Sequence, residues 1–151
     1  MRGITVYVRR EFKGIHCPVQ TLKKLVRAVC RRFGITNLTV SIAVVDDKLI
    51  LKLNKKFLRH KYVTDCLSFD LSQPDGKHKL FELVVNGQRA KSEAIKQRHS
   101  QQAELALYVT HGLLHNLGFN DLRASDAKKM HLLEDEILKQ QGFGPVYDTK
   151  S

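Results

Sequence analysis

The segment QQAELALYVTHGLLHNLGFND, Gln101 to Asp121, is apolar on nearly every side when wound as a helix. Ala103, Leu105, Ala106, Leu107, Val109, Leu113, Leu114 and Leu117 leave it no broad polar face, the pattern of a helix at the centre of a fold. Gly118 stands just past the last apolar residue, where a left-handed turn ends a helix. His111 and His115 are set into this apolar run. At i and i+4 their imidazoles share one helix face and can meet a single ion.

Working outward, the flanking segments read as a mixed set of elements. ITVYV (Ile4 to Val8) and LTVSIAVV (Leu38 to Val45) are β-branched strands, separated by a helix that Pro18 opens and Gly34 stops. Asp46 and Asp47 suit the cap of a helix through KLILKLNKKFL. CLSFDL and ELVVN read as strands on either side of the turn-rich SQPDGKHK. Helices over Gly87 to Arg98, Gln101 to Leu117 and Ser125 to Gln141 complete the order βαβαββααα. This order predicts an α+β fold: a single domain over residues 1–151, a small mixed four-stranded sheet, about five helices, and a central metal-binding helix.

The net charge of +11 is unevenly placed. Residues 1–61 hold 15 Lys and Arg against 3 acids, whereas residues 62–151 hold 11 against 12. An excess of this kind in one half suits a polyanion bound through its phosphates, which position a nucleic acid without reading its sequence. Lys52, Lys55, Lys56, Arg59 and Lys61 form the densest track, and His60 can add to it. No apolar run approaches the ~18 residues of a membrane span. Arg2, Arg9 and Arg10 interrupt what would be a signal segment, and Cys17, Cys30 and Cys66 are odd in number and form no C-x-x-C. The expectation is a cytoplasmic protein without a disulfide framework, with Cys30 in the core.

Two histidines alone hold zinc weakly, so a third ligand is needed. A Gly seven residues after the first His and a His, Asp or Glu at ten, as Gly118 and Asp121 supply, arise by chance only about 0.003 times in a chain of this composition. Reversal of the chain at Gly118 returns Asp121 toward the pair, and a carboxylate is an ordinary zinc ligand, whereas the neutral amide of Asn120 is a poor one. His111, His115 and Asp121 are therefore the expected ligands of one zinc ion per chain. Gly112 stands where H-E-x-x-H proteases carry their general base, which argues against a protease. His16, His60, His78, His99 and His131 lack ligand spacing and read as surface groups.

HGLLHNLGFND resembles the signature H-G-x-L-H-x-x-G-[YF]-x-H of the YbeY endoribonucleases, with Asp121 at the last ligand position. VTDCLSF (Val63 to Phe69), FELVVNGQRAKSEA and KKMHLLEDEIL are similar to further segments of that family, so the resemblance runs from about Leu53 to Leu138. It departs at Val63, where the family has proline, and at NKKFLR, where Leu58 fills the family's arginine slot and Arg59 follows it. The resemblance implies a zinc-dependent hydrolase, a single-strand endoribonuclease of ribosomal RNA maturation and ribosome quality control. Its partners would be ribosomal RNA and the small ribosomal subunit, with neither membrane nor DNA. Arg59 would be the catalytic cation, and Thr64, Asp65 and Ser68 would line the site. The alternative is a non-catalytic, ribosome-associated RNA-binding assembly factor with a structural or vestigial metal site.

Overall fold

The structure is a computed structural model and describes residues 3–59 and 61–144. His60 and the C-terminal residues from Pro145 lie outside that description. The element order is β1 (Gly3–Arg10), α1 (Val19–Arg32), β2 (Asn37–Val45), α2 (Asp47–Leu53), β3 (Cys66–Asp70), β4 (Lys79–Asn86), α3 (Gly87–Gln97), α4 (Gln101–Asn116) and α5 (Ala124–Gln140). This is the expected α+β order of four strands and five helices. The strands form one mixed sheet in the order β1-β2-β4-β3; β1 and β4 run parallel to β2, and β3 is antiparallel to β4. β4 begins at Lys79, earlier than the hydrophobic pattern suggests, because Lys79 and Leu80 pair with Leu38 and Thr39 of β2. Local composition there reads as turn, and only the ladder makes it strand.

The two sheet faces are covered unequally. Val40, Ile42 and Val44 of β2 and Phe81, Leu83 and Val85 of β4 point into the main core with Leu22, Leu25, Val26 and Val29 of α1. Alternation along the same strands sends Ala43, Val45 and Val84 to the other face, where Ile50 of α2 and Leu67 of β3 close a smaller core. Helix α4 packs on α1, α3, α5, β3 and β4, and its residues from Ala103 to Thr110 are all buried. It is the central helix that its composition implies.

The helix expected through KLILKLNKKFL changes character part-way. After α2 the chain widens into a π-helical turn, Asn54–Leu58, closed by Arg59 in the left-handed region at φ 57° with its N–H on the Asn54 carbonyl. Asn54 is buried, and its side-chain Nδ2 donates to the Tyr62 carbonyl at 2.8 Å, which ties the turn to the segment that follows. Asp46 caps α2 by accepting from the Leu49 N–H.

Asn86 joins three parts of the chain. Its Oδ1 caps α3 by accepting from the Arg89 N–H at 2.9 Å; its Nδ2 donates to Asp47 Oδ1 at 2.6 Å and to the Thr64 carbonyl at 3.2 Å. Its backbone N–H donates to the Asp65 carbonyl at 2.8 Å. The side chain is fully buried, so an apolar replacement would strand these partners. Asn86→Ala should lower the unfolding free energy by about 2–3 kcal/mol in urea titration, and an effect below half a kcal/mol would show that the junction holds without it.

Candidate metal centre

Helix α4 presents His111 and His115 from its C-terminal half, and the end of the helix brings up the third group. Gly118 adopts φ +101°, a conformation that residues with a Cβ rarely take. Its N–H reaches the His115 carbonyl at 3.0 Å, and the Phe119 N–H reaches the Leu114 carbonyl at 3.0 Å, the paired bonds of a Schellman ending. Phe119 then packs edge-on against Phe33 at 5.7 Å between centroids, anchoring the reversed chain on the end of α1. Asn120 Oδ1 accepts from the Leu122 N–H, so the amide is spent on a turn. Asp121 is left at the mouth of the site, and one ligand atom from each of His111, His115 and Asp121 lies within 4.8 Å of the others.

Both imidazoles are oriented from behind. His111 Nδ1 is 2.7 Å from Glu134 Oε2, and His115 Nδ1 is 3.1 Å from the Phe119 carbonyl. A carboxylate and a carbonyl only accept, so each ring carries its proton on Nδ1 and turns the lone pair of Nε2 outward. The two Nε2 atoms are 2.9 Å apart. Two lone pairs facing each other at that distance repel unless a proton or a cation lies between them. The second oxygen of Glu134, Oε1, is buried and finds no donor among the described residues, which adds to the negative field. This donor set therefore fits a divalent cation.

The protonation tendencies follow the same charges. Burial opposes charge on His111, but the hydrogen bond and charge of Glu134, with Asp121 and Asp65 beyond it, outweigh burial and hold its pKa above the ordinary value. His115 is held below its ordinary value by burial and by His111 beside it. Of the two rings, His111 is therefore the one that favours a proton.

His111 opens on a cavity of about 330 Å³ lined also by Thr64, Asp65, Leu107, Tyr108, Asp121, His131 and Glu134. Thr64 and Asp65 take the place expected for them, held by their carbonyls' bonds to Asn86. Asp65 also pairs with Arg89 at 2.7 Å. Ser68 and Arg59 are not among the lining residues; Ser68 lies farther along β3, and Arg59 is exposed beyond the π turn. Burial, with Asp65 and Glu104 near, pushes the Tyr108 phenol well above its ordinary range and keeps it a neutral group in the wall. Lys52, Lys55, Lys56 and Lys61 are all exposed.

Gly112 owes its small size to packing. A Cβ there would meet Cys66 Sγ at 2.8 Å and Leu83 Cδ2 at 3.0 Å, so this face of α4 lies directly on β3 and β4. A glutamate at this position would point into the sheet and away from the cavity.

The sequence matches the family described as Endoribonuclease YbeY over residues 9–142. The chain belongs to the YbeY family. Among curated relatives named endoribonuclease YbeY, that of Anaeromyxobacter is 32% identical over 141 residues, spanning 93% of this chain and 73% of the relative. That of Myxococcus xanthus is 34% identical over 121 residues, spanning 78% of this chain but 41% of a longer relative. A Thermotoga maritima protein solved in solution shares the fold, with a TM-score of 0.57 at 23% identity over 90% of this chain and 91% of that one.

Several partnered polar residues of this YbeY-family chain escape a reading of ligand spacing. Glu134 is one of four buried positions of α5, with Met130, Ile137 and Leu138. A carboxylate at core spacing is the signal that could have found it. Glu104, fully buried within the apolar run of α4, is a second case, and it accounts for His99, whose Nε2 lies 2.6 Å from it. His99 is therefore not a surface group. Nor is His131, which lines the cavity, or His78, whose ring bridges Asn37 and Thr39 at 2.7 and 2.8 Å. Only the fold places their partners. His16 is exposed, as expected.

Removing the charge behind His111 tests the orientation. Glu134→Gln should lower the pKa of His111 in metal-free protein, read by NMR titration of the ring protons, because the raising contributions of Glu134 are lost while burial remains. An unmoved His111 would mean that Glu134 does not set its proton.

Proposed function

We propose that this chain is a zinc-dependent endoribonuclease that cuts single-stranded RNA, with ribosomal RNA and the small ribosomal subunit as its partners. The observation that carries the reading is the convergence of His111, His115 and Asp121 with both histidine Nδ1 atoms held from behind. Membership of the YbeY family supports the class of reaction. The excess of lysine and arginine before residue 62 supports a polyanionic substrate. No helix among the described residues is long and apolar enough to cross a membrane.

Division of labour follows from position. His111, His115 and Asp121 hold the ion, which when bound supplies Lewis acidity toward a phosphoryl oxygen and acidifies water. Glu134 and the Phe119 carbonyl accept from Nδ1 of the two imidazoles and keep both Nε2 atoms aimed. Asp65 and Thr64 form the facing wall. The negative wall disfavours a phosphate in the metal-free cavity, so substrate binding and metal loading are linked. Lys52, Lys55, Lys56 and Lys61 take backbone phosphates outside the cavity. Arg59, exposed beyond the π turn, is the cation assigned to the charge on the phosphoryl group in the transition state.

Ligand substitution tests the centre. Asp121→Ala should weaken zinc binding and abolish cleavage. Asp121→His should keep the metal and move the cleavage optimum to lower pH, because a neutral third ligand leaves the ion's full charge to acidify water. Zinc content and cleavage of a single-stranded RNA are the readouts, and full zinc affinity in Asp121→Ala would refute the ligand assignment.

Arg59 is tested separately. Arg59→Ala should reduce turnover by about 10²-fold while zinc content and folding stay unchanged. A loss of RNA affinity with normal turnover would make Arg59 a phosphate anchor.

A further inference from the structure

On the sheet face opposite the metal cavity, Leu53, Phe57, Phe69, Leu71, Glu82 and Val84 line a groove of about 240 Å³. Phe57 projects from the π turn and is 56% exposed, an unusual state for a phenyl ring beside a core. It meets Phe69 of β3 edge-on, with centroids 6.0 Å apart, and the Lys56 ammonium stands 5.2 Å from the Phe57 centroid over its ring. Aromatic rings beside a run of cations are the means by which proteins hold unpaired nucleotides, the rings stacking on bases and the cations following the backbone.

We infer that this groove is a base-stacking subsite, in which an unpaired nucleobase lies against Phe57 and Phe69 while Lys55 and Lys56 take the adjoining phosphates. The inference rests on the RNA-cleaving reading and adds to it a second point of grip. Glu82, opposite Phe69 across the β3–β4 ladder, argues for a base in the groove: its carboxylate repels a phosphate but accepts hydrogen bonds from the amino and ring N–H groups of a base, while the apolar walls suit its flat face. Lys52, Lys55, Lys56, Arg59 and Lys61, all exposed, flank Phe57 in the sequence and supply the complementary charge, with Lys56 over the Phe57 ring. Position also fits. β3 is an edge strand, and four residues along it, about 13 Å at ~3.3 Å each, separate Asp65 at the metal cavity from Phe69 in the groove. A strand crossing the sheet edge would thus have a base anchored near the scissile position.

The test compares binding of single-stranded oligoadenylate with that of an abasic oligomer of equal length, by fluorescence anisotropy over a range of salt. Phe57→Ala should weaken oligoadenylate binding about tenfold or more at every salt concentration. The dependence on salt should be unchanged, because no cation is removed. Binding of the abasic oligomer should be the same in both proteins, and Phe57→Tyr, which keeps the ring, should retain wild-type affinity. Phe57 is exposed, so folding is not at stake. Wild-type affinity for oligoadenylate in Phe57→Ala would overturn the subsite while leaving the nuclease reading intact. Unchanged RNA affinity with loss of self-association would assign the groove to protein, also overturning it. Failure of the wild-type chain to bind either oligomer would remove the nuclease reading and this inference together.

Discussion

Close contact between α4 and the sheet is the constraint on which the rest depends. Gly112 lets the helix lie against Cys66 and Leu83 with no room for a further carbon. A helix seated so deeply has almost nowhere to put a polar group, and the two imidazoles emerge only where its C-terminal half reaches the cavity. A Cβ at Gly112 would force the Cys66 and Leu83 side chains, or the helix itself, to shift. Packing density, which is unforgiving at this separation, therefore fixes where the candidate metal ligands stand.

Orientation is supplied by a second layer drawn from distant parts of the chain. Glu134 comes from α5, the Phe119 carbonyl from the turn that ends α4, and Asp65 from the entry to β3, where Asn86 holds its backbone. None of these contacts adds much stability on its own, since a hydrogen bond gained in folding replaces one to water. Their effect is to remove freedom from the candidate ligands His111 and His115 and from the wall that faces them. The cost is a cluster of carboxylates facing two imidazoles, a concentration of charge that is relieved when a cation occupies it.

The sheet separates two kinds of chemistry. Its α4 face carries the polar, acidic cavity, and its α2 face carries a groove in which exposed Phe57 stands against half-buried Phe69 with Lys56 over its ring. The π turn after α2 matters to the second. By widening the helix it carries Phe57 to the groove and ends in the left-handed Arg59. The edge strand β3 contributes to both sides, Cys66 beneath α4 and Phe69 in the groove, because successive residues of a strand face opposite ways.

Periodicity and composition were enough for the element order, for the central place of α4 and for the triad His111, His115 and Asp121. Each of these follows from spacing within a short segment: the apolar run, the i and i+4 histidines, and a glycine that can turn the chain back. Local sequence also favoured Asp121 over Asn120, on the chemistry of the two side chains. What only the tertiary structure decided are the relations between segments far apart in the chain. Glu134 behind His111, Glu104 beside His99, the place of half-buried His131 in the cavity wall and the early start of β4 all depend on partners that no local window contains. The π turn belongs with them, since the buried Asn54 and its bond to Tyr62 arise where α2 meets the sheet. A helical pattern specifies which face is apolar, but the charge that a buried carboxylate will meet is set by whatever element the fold brings against it.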